Sequence, residues 1–133
     1  MTDVYCLFNR ARGVELASPA DVAAAAKEWS SWPAPVRLRE IEGGVLAVQA
    51  ADLDDSIVRS RLATLAADAH TPASIPGLGR PLTPSLVSAE LRVPLAIAST
   101  LLLDAERAGA LCRDDGAEGV RWWRNFFVDE GRA

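Results

Sequence analysis

Histidine and cysteine are the side chains most often used for acid–base, nucleophilic and metal chemistry, and this sequence holds few of them. Its 133 residues include one histidine, His70, and two cysteines, Cys6 and Cys112. His70 lies in a proline-rich stretch that offers no fixed partner for general-base or metal-ligand chemistry. The cysteines are far apart and form no C-x-x-C pair, so neither a zinc site nor a disulfide scaffold is indicated, and a reducing, intracellular setting is favoured.

Short catalytic motifs are also missing from the sequence. It contains no phosphate-binding glycine loop, no nucleophile elbow and no paired-carboxylate arrangement. We therefore expect a protein that is not an enzyme, with no catalytic residues, no cofactor and no bound metal.

Aromatic side chains are concentrated in two places. Six of the eight are Trp29, Trp32, Trp122, Trp123, Phe126 and Phe127. Because neighbours in a strand point to opposite faces, Trp122 and Trp123 cannot both enter one core. An exposed tryptophan beside arginine is typical of a protein–protein hot spot; the alternative is that a helix from the other half of this chain covers the second indole.

The overall composition indicates a folded protein and disfavours nucleic acid as its partner. Half of the residues are hydrophobic, and 14 Lys+Arg stand against 18 Asp+Glu, a net charge of -4. Phosphate binding depends on clustered Lys and Arg. The length fits one ordinary domain or two small ones. No apolar run approaches the roughly 18 residues of a membrane span, and the N-terminus does not resemble a signal peptide.

The first part of the sequence predicts two helices and a hairpin. Apolar residues recur at helical spacing over 4–11, ahead of Gly13, which suits a helix C-cap. Ser18 provides an N-cap for a second helix, and prolines end that helix near Trp32. The hairpin is predicted from alternating residues over 36–39, a Gly43-Gly44 turn and the apolar run over 45–48.

The second part predicts three helices and another hairpin. A helix opens on the acidic residues 52–55 and runs to about residue 69. Four prolines and two glycines make 70–84 a loop or linker, the least foldable segment. The remaining predicted elements are a helix over 83–92 capped by Thr83, a helix over 94–108 closed by Gly109, and a hairpin of 110–113 and 120–127 with 114–119 as its turn. Each of the three helices has apolar residues along one side: Val58, Leu62, Leu65 and Ala69 in the first; Leu86, Val87 and Leu91 in the second; and Leu95, Ala98, Leu102 and Ala105 in the third.

Helix, helix and hairpin thus occur twice in the same order, which is the order of a winged helix, usually three helices followed by a wing. The predicted fold is α+β, mainly helical, with tandem winged-helix domains, each a helix bundle with a β-hairpin wing. We place the first domain at 1–50, without its first helix, and the second at 51–133, with a Pro/Gly-rich insertion at 70–84. The missing helix indicates a fragment or a shortened protein. A single domain with both hairpins in one mixed sheet is the alternative.

A DNA-binding transcriptional regulator is the alternative function, because the helix before a wing commonly enters the major groove. Helix 19–32 has one basic residue, Lys27, and helix 94–108 has one, Arg107. Acidic residues outnumber the basic ones in each helix and also accompany the wing arginines. Neither surface attracts phosphate, so we expect protein partners rather than nucleic acid.

Two long segments carry a specific resemblance to a known family. Residues 4–21 resemble the Y-C-L-x-N-R-A-R-G-x-E-L-x-S-P-x-D segment of the vacuolar protein sorting-associated protein 36 family. Residues 111–127 resemble the C-terminal ending of that family, with L-C-R-D-D, E-G, an aromatic pair and N-x-F. The hairpin around 36–45 also fits, so the resemblance spans nearly the whole chain.

The resemblance implies a subunit of the ESCRT-II complex, which helps sort ubiquitinated membrane proteins into vesicles of the multivesicular endosome. It implies no catalysis, and assembly with vacuolar protein sorting-associated proteins 22 and 25 through winged helices. It also implies a cytoplasmic protein recruited to the endosome membrane indirectly, through the complex. The lipid- and ubiquitin-binding region of the family is not part of this sequence.

Candidate interface residues follow from the resemblance by position. The partner-facing wing is predicted to comprise Arg113, Asp114, Asp115, Glu118, Arg121, Trp122 and Trp123. A second group, predicted to fix the first turn or to contact a neighbouring subunit, comprises Asn9, Arg10, Arg12 and Glu15. Two structural alternatives stay open: the segment 114–116 serves only to turn the hairpin, and the two arginines of the second group simply pair with Glu15.

Overall fold

The chain divides into two units, Met1–Asp54 and Asp55–Ala133. The structure, a computed structural model, describes residues 1–41, 44–50 and 54–128. The first unit contains α1 (Thr2–Arg12), α2 (Pro19–Lys27), a 3-10 turn (Glu28–Ser31), β1 (Val36–Ile41) and β2 (Val45–Ala50). The second contains α3 (Asp55–Ala67), α4 (Pro84–Leu91), α5 (Leu95–Arg107), β3 (Leu111–Gly116) and β4 (Gly119–Arg124).

The predicted cap of α2 is confirmed. The Ser18 hydroxyl accepts a hydrogen bond from the Asp21 backbone N–H at 3.1 Å, and the Ser18 backbone N–H donates to Asp21 Oδ2 at 3.2 Å. These bonds satisfy helix-end donors reciprocally. Hydrogen bonds from the Ser18 hydroxyl and backbone lower the pKa of Asp21. The ionised carboxylate therefore stabilises the cap fully at pH values above the ordinary pKa of aspartate. This contribution is lost as the pH falls through the lowered pKa of Asp21.

Replacing Ser18 by alanine is expected to destabilise the first unit by about 1 kcal/mol, because the first turn of α2 loses its side-chain acceptor. Urea unfolding followed by circular dichroism measures the loss. Ser30→Ala is the matched control, because the exposed Ser30 hydroxyl donates to the carbonyl of Lys27, the last residue of α2, and caps no helix N-terminus. Equal losses in the two variants would show that the cap contributes nothing specific.

Both predicted hairpins are present and antiparallel. In the first, β1 and β2 pair from Val36 opposite Ala50 to Ile41 opposite Val45. Gly43 of the predicted turn lies outside the described residues, whereas Gly44 has φ +75°. Among the described residues each hairpin forms its own two-stranded sheet. The alternative of one mixed sheet is therefore wrong.

One apolar core joins the helices and the hairpin of the second unit. Its buried members are Val58, Leu62, Ala66, Leu82, Val87, Ala98, Leu102, Ala105, Leu111 and Trp122. The predicted apolar stripes of the three helices supply most of them. Leu95, predicted to join the stripe of α5, is instead 55% exposed, and Ala69 lies beyond the end of α3. Residues 52 and 53 of the predicted helix start lie outside the described residues.

The helix pair α4 and α5 meets at a sharp bend of 107°. Within the described ranges no single helix is long and apolar enough to cross a membrane; this bent pair passes that test only when both helices are taken together. The angle lies in the range that helix-turn-helix units adopt.

The proline-rich segment 70–84 is not a linker at its C-terminal end. Leu82 is fully buried and exchanges two backbone hydrogen bonds with Trp122 of β4, at 2.8 and 2.9 Å. The Arg80 backbone N–H donates to the Ala66 carbonyl of α3 at 2.8 Å. The segment is a loop, as predicted, but it is anchored at this end, because Leu82 in extended conformation forms a one-residue bridge with Trp122 at the edge of the wing.

The second hairpin turns later than predicted. Strands β3 and β4 stay paired out to Gly116 opposite Gly119, so the turn residues are Ala117 and Glu118. Gly119 has φ +99°, a conformation that residues with a side chain rarely adopt, and this permits the tight turn. The alternative that 114–116 only turns the hairpin is wrong, because this segment belongs to β3. At its other end β4 stops at Arg124, short of the predicted residue 127.

Candidate protein interaction surface

The wing, the β3–β4 hairpin, is buried at its base and exposed at its tip. Leu111 and Trp122 at the base are 1% and 5% exposed. Every residue from Arg113 to Val120 is exposed. Of the predicted wing residues, Arg113, Asp114, Asp115 and Glu118 lie at this exposed tip, and Arg121 is half-buried.

Strand register sorts these residues onto two faces of the wing. Arg113 stands opposite Trp122, and Asp115 opposite Val120. Because side chains of opposed residues share a face and alternate along the strand, these four lie on the face that carries the core tryptophan. Asp114 and Arg121 face each other on the opposite side, which also carries Trp123.

Of the two alternatives left open for the tryptophan pair, the one with an exposed indole is wrong, because both indoles are buried. Trp122 is 5% exposed and Trp123 is 9% exposed. Strand alternation does place them on opposite faces, but both faces are covered at the base of the wing. The Trp122 indole N–H donates to Glu106 Oε2 at 2.8 Å. Neither indole is exposed, so the accessible members of the candidate surface are those of the charged tip.

Acidic residues accompany the arginines of the wing. Arg113 Nε lies 3.6 Å from Glu106 Oε1, and Arg121 pairs with Glu118 and stands opposite Asp114. On α5, Arg107 pairs with Asp104 at 3.4 Å. The surfaces that a winged helix would present to DNA are therefore balanced in charge, which gives no support to the DNA-binding alternative. Mixed charge with fixed geometry suits the polar rim of a protein interface.

Asn9 of the second candidate group fixes the connection between α1 and α2. It is 9% exposed; its Nδ2 donates to the Ala17 carbonyl at 3.1 Å, and the Ala17 N–H donates to its Oδ1 at 2.8 Å. Arg12 pairs with Glu15, donating through Nε to the Glu15 carbonyl at 2.7 Å. Arg10 is exposed. The turn-fixing role expected for this group is thus seen at Asn9, and the pairing alternative is seen at Arg12.

The apolar stripe of α1 faces outward. Leu7 is 66% exposed, Phe8 is 42% exposed and Ala11 is exposed, while the polar Asn9 is buried. Helical spacing predicted the helix correctly, but three of the four stripe residues are exposed and the fourth, Val4, is half-buried. The inward position is taken by Asn9 because its amide completes the hydrogen bonds of the turn that follows.

The contact of Glu106 with the Trp122 indole was not predicted from the sequence. In the sequence Glu106 counts only as one of the acids on the helix before the wing. A sequence signal was available, since a buried indole N–H requires an acceptor, but the acceptor lies 16 residues away from Trp122.

The cysteine and histidine side chains form no reactive site among the described residues. Cys6 is an exposed free thiol and Cys112 a half-buried one, and His70 is exposed. In the part of the chain that the structure describes, no three His, Cys, Asp or Glu side chains come together in a group that could hold a metal ion.

Comparison with known proteins gives consistent matches. The model of the EAP30/Vps36 family matches residues 1–115. The chain is 35% identical over 131 residues to vacuolar protein-sorting-associated protein 36 of Xenopus laevis, and 37% identical over 128 residues to that of Danio rerio. The protein of the same name from Homo sapiens is 34% identical over 131 residues. These alignments cover 96% to 98% of this chain but 31% of each relative, so the chain spans about a third of their length.

A solved structure gives the fold independently. A chain in the structure of the ESCRT-II endosomal trafficking complex superposes with a TM-score of 0.60 at 17% sequence identity. The match covers 94% of this chain and 73% of the solved one. The predicted fold, α+β and mainly helical with tandem winged helices, is confirmed.

Proposed function

The chain belongs to the EAP30/Vps36 family, and we propose on that premise that it is a noncatalytic subunit of the ESCRT-II complex. In this role it acts in the sorting of ubiquitinated cargo into multivesicular bodies. Its partners are the counterparts of vacuolar protein sorting-associated proteins 22 and 25, and it contacts no nucleic acid. The observation that carries the proposal is the match to vacuolar protein-sorting-associated protein 36 across 96% to 98% of the chain.

The wing supports assembly as the mode of action. Its tip presents exposed charges of both signs on strands whose base is anchored in the core, so the charges are held in place before a partner arrives. Charges arranged in this way select a complementary partner and its orientation. The predicted wing residues that lie at the tip remain our candidates for the contact: Arg113, Asp114, Asp115 and Glu118, with Arg121 beside them.

Membership of the family supports the proposed noncatalytic character and location. The sequence contains no catalytic motif, and the relatives are named for protein sorting. The protein is proposed to act in the cytoplasm and to reach the endosome membrane through the assembled complex.

The two domains are proposed to be residues 1–50 and 51–133. The chain divides into two compact units between Asp54 and Asp55, which supports a domain boundary in this region. In the second domain the Pro/Gly-rich segment 70–84 leads into the core at Leu82.

The test is assembly with the partner subunits. The chain, co-expressed with homologues of proteins 22 and 25, is expected to co-elute with them in size-exclusion chromatography. Asp115→Lys reverses an exposed charge at the wing tip and is expected to weaken the affinity about tenfold, as loss of charge complementarity does. Isothermal titration calorimetry measures the affinity.

Lys27→Glu is the control variant, because it reverses an exposed charge on α2, outside the candidate surface. It is expected to bind like the unmodified chain. A folded chain that is not retained by either homologue would overturn the proposal. Retention with an unchanged affinity of Asp115→Lys would place the contact elsewhere on the molecule.

A further inference from the structure

One carboxylate, that of Glu106, contacts both strands of the wing. It lies in the last turn of α5; its Oε2 accepts the Trp122 indole N–H at 2.8 Å, and its Oε1 lies 3.6 Å from Arg113 Nε. Trp122 belongs to β4 and Arg113 to β3, and the two residues are direct cross-strand partners. Each oxygen of Glu106 therefore holds a different strand to the same helix.

The two contacts of Glu106 differ in strength because they differ in burial. The Trp122 side chain is part of the core, whereas the Arg113 side chain is 50% exposed and that of Glu106 is 28% exposed. A hydrogen bond from a buried donor to a carboxylate is stronger than one between neutral groups, and a buried N–H left without an acceptor carries the full cost of its desolvation. The bond to Trp122 is thus the anchor, and the pair with Arg113 extends it to the first exposed residue of β3.

Two further contacts of the wing act at different places from Glu106. The pair of Arg121 and Glu118 lies within the hairpin, so it cannot orient the hairpin against α5. The backbone bonds between Leu82 and Trp122 hold the base of β4 alone. Glu106 sits where the buried base gives way to the exposed tip, and it contacts both strands at that level.

We propose that Glu106 is a positioning residue for the wing: it sets the orientation of the tip, Arg113–Val120, and thereby the affinity for the partner, without contacting the partner itself. The affinity part of this inference rests on the proposed function. The orientation part concerns this chain alone and is measured on it directly.

Two variants of Glu106 separate its contacts in the full chain. Glu106→Gln keeps an acceptor for the Trp122 indole and removes the charge that faces Arg113, whereas Glu106→Ala removes both. In ¹H–¹⁵N spectra we expect the Trp122 indole N–H to exchange with solvent at least tenfold faster in Glu106→Ala and within about threefold of the original rate in Glu106→Gln. The amide resonances of 113–120 shift in both variants.

Thr83→Ala is the control for a loss of stability alone. The Thr83 hydroxyl caps α4 by accepting from the Leu86 N–H at 3.3 Å, so its removal lowers the unfolding midpoint through a different element. This variant is expected to leave the resonances of 113–120 in place. For binding to homologues of proteins 22 and 25, we expect Glu106→Ala to weaken affinity at least tenfold and Thr83→Ala less than twofold.

The outcomes distinguish this inference from the proposed function. If the unmodified chain does not bind the homologues, the proposed function fails, and the resonances of 113–120 still decide whether Glu106 orients the tip. Resonances that stay in place in Glu106→Ala overturn the positioning role. The positioning role is also overturned if Glu106→Ala and Thr83→Ala lose affinity in the same proportion to the decrease in their unfolding midpoints. Glu106 would then act on stability alone.

Discussion

Trp122→Ala is expected to destabilise the second unit by about 3–5 kcal/mol, the range measured when a large buried aromatic side chain is truncated. Trp122 is 5% exposed and belongs to the core that joins the helices to the wing. Its removal leaves a cavity and takes away the donor that Glu106 accepts from. Urea unfolding followed by circular dichroism measures the loss.

The matched control for this substitution is Trp32→Ala. Trp32 is 73% exposed, so its truncation opens no cavity, and a change within about 0.5 kcal/mol is expected. A third variant, Trp122→Phe, keeps a ring in the core and should lose less than Trp122→Ala. If Trp122→Ala were as stable as Trp32→Ala, the placement of this indole in the core would be refuted.

Gly79→Ala is expected to be the second severe variant, with a loss of about 3 kcal/mol or more, the size that only a few mechanisms such as backbone strain and steric overlap produce. A Cβ built on Gly79 would stand 2.1 Å from the Ala66 carbonyl oxygen at the end of α3. The loop would have to move away from the helix. That movement breaks the hydrogen bond from the Arg80 N–H to the same carbonyl.

Gly77→Ala isolates the steric part of this effect. Gly77 and Gly79 have nearly the same φ, +82° and +83°, but a Cβ on Gly77 meets no atom within 4 Å. Both variants therefore carry the strain of a left-handed alanine, about 1 kcal/mol, and Gly79→Ala alone carries the overlap. Unfolding midpoints of the two variants are compared in urea. Equal losses would mean that the loop does not pack against α3 as described.

Local signals in the sequence were sufficient for the order of the helices and for several of their ends. The Ser18 and Thr83 caps accept from backbone N–H groups three residues away, and Gly13 and Gly109 follow helix ends with positive φ. The apolar stripes of the second unit were also readable, because residues three and four apart share a helix face. Such interactions join residues close in sequence, so the residue types and their spacing identify them.

Features that depend on contacts between residues distant in the sequence could not be predicted in this way. The sequence did not reveal that the proline-rich segment joins the core, because Leu82, which ties it to the wing, has its backbone partner Trp122 40 residues away. The apolar stripe of α1 was recognised, but whether a stripe is covered depends on which element packs on it, and that is not encoded by spacing. The late turn of the wing likewise reflects continued cross-strand pairing rather than the turn-forming composition of the segment.

The sequence by itself thus determined the order of the elements, the charge balance that disfavours nucleic acid and the resemblance that indicated the family. The tertiary structure alone decided which residues of the candidate surface are accessible. It buried both tryptophans, left the charged tip exposed and brought Glu106 to the wing. The reason is physical: strand alternation assigns side chains to faces, but burial depends on what covers each face, and that is settled by packing between residues distant in the chain.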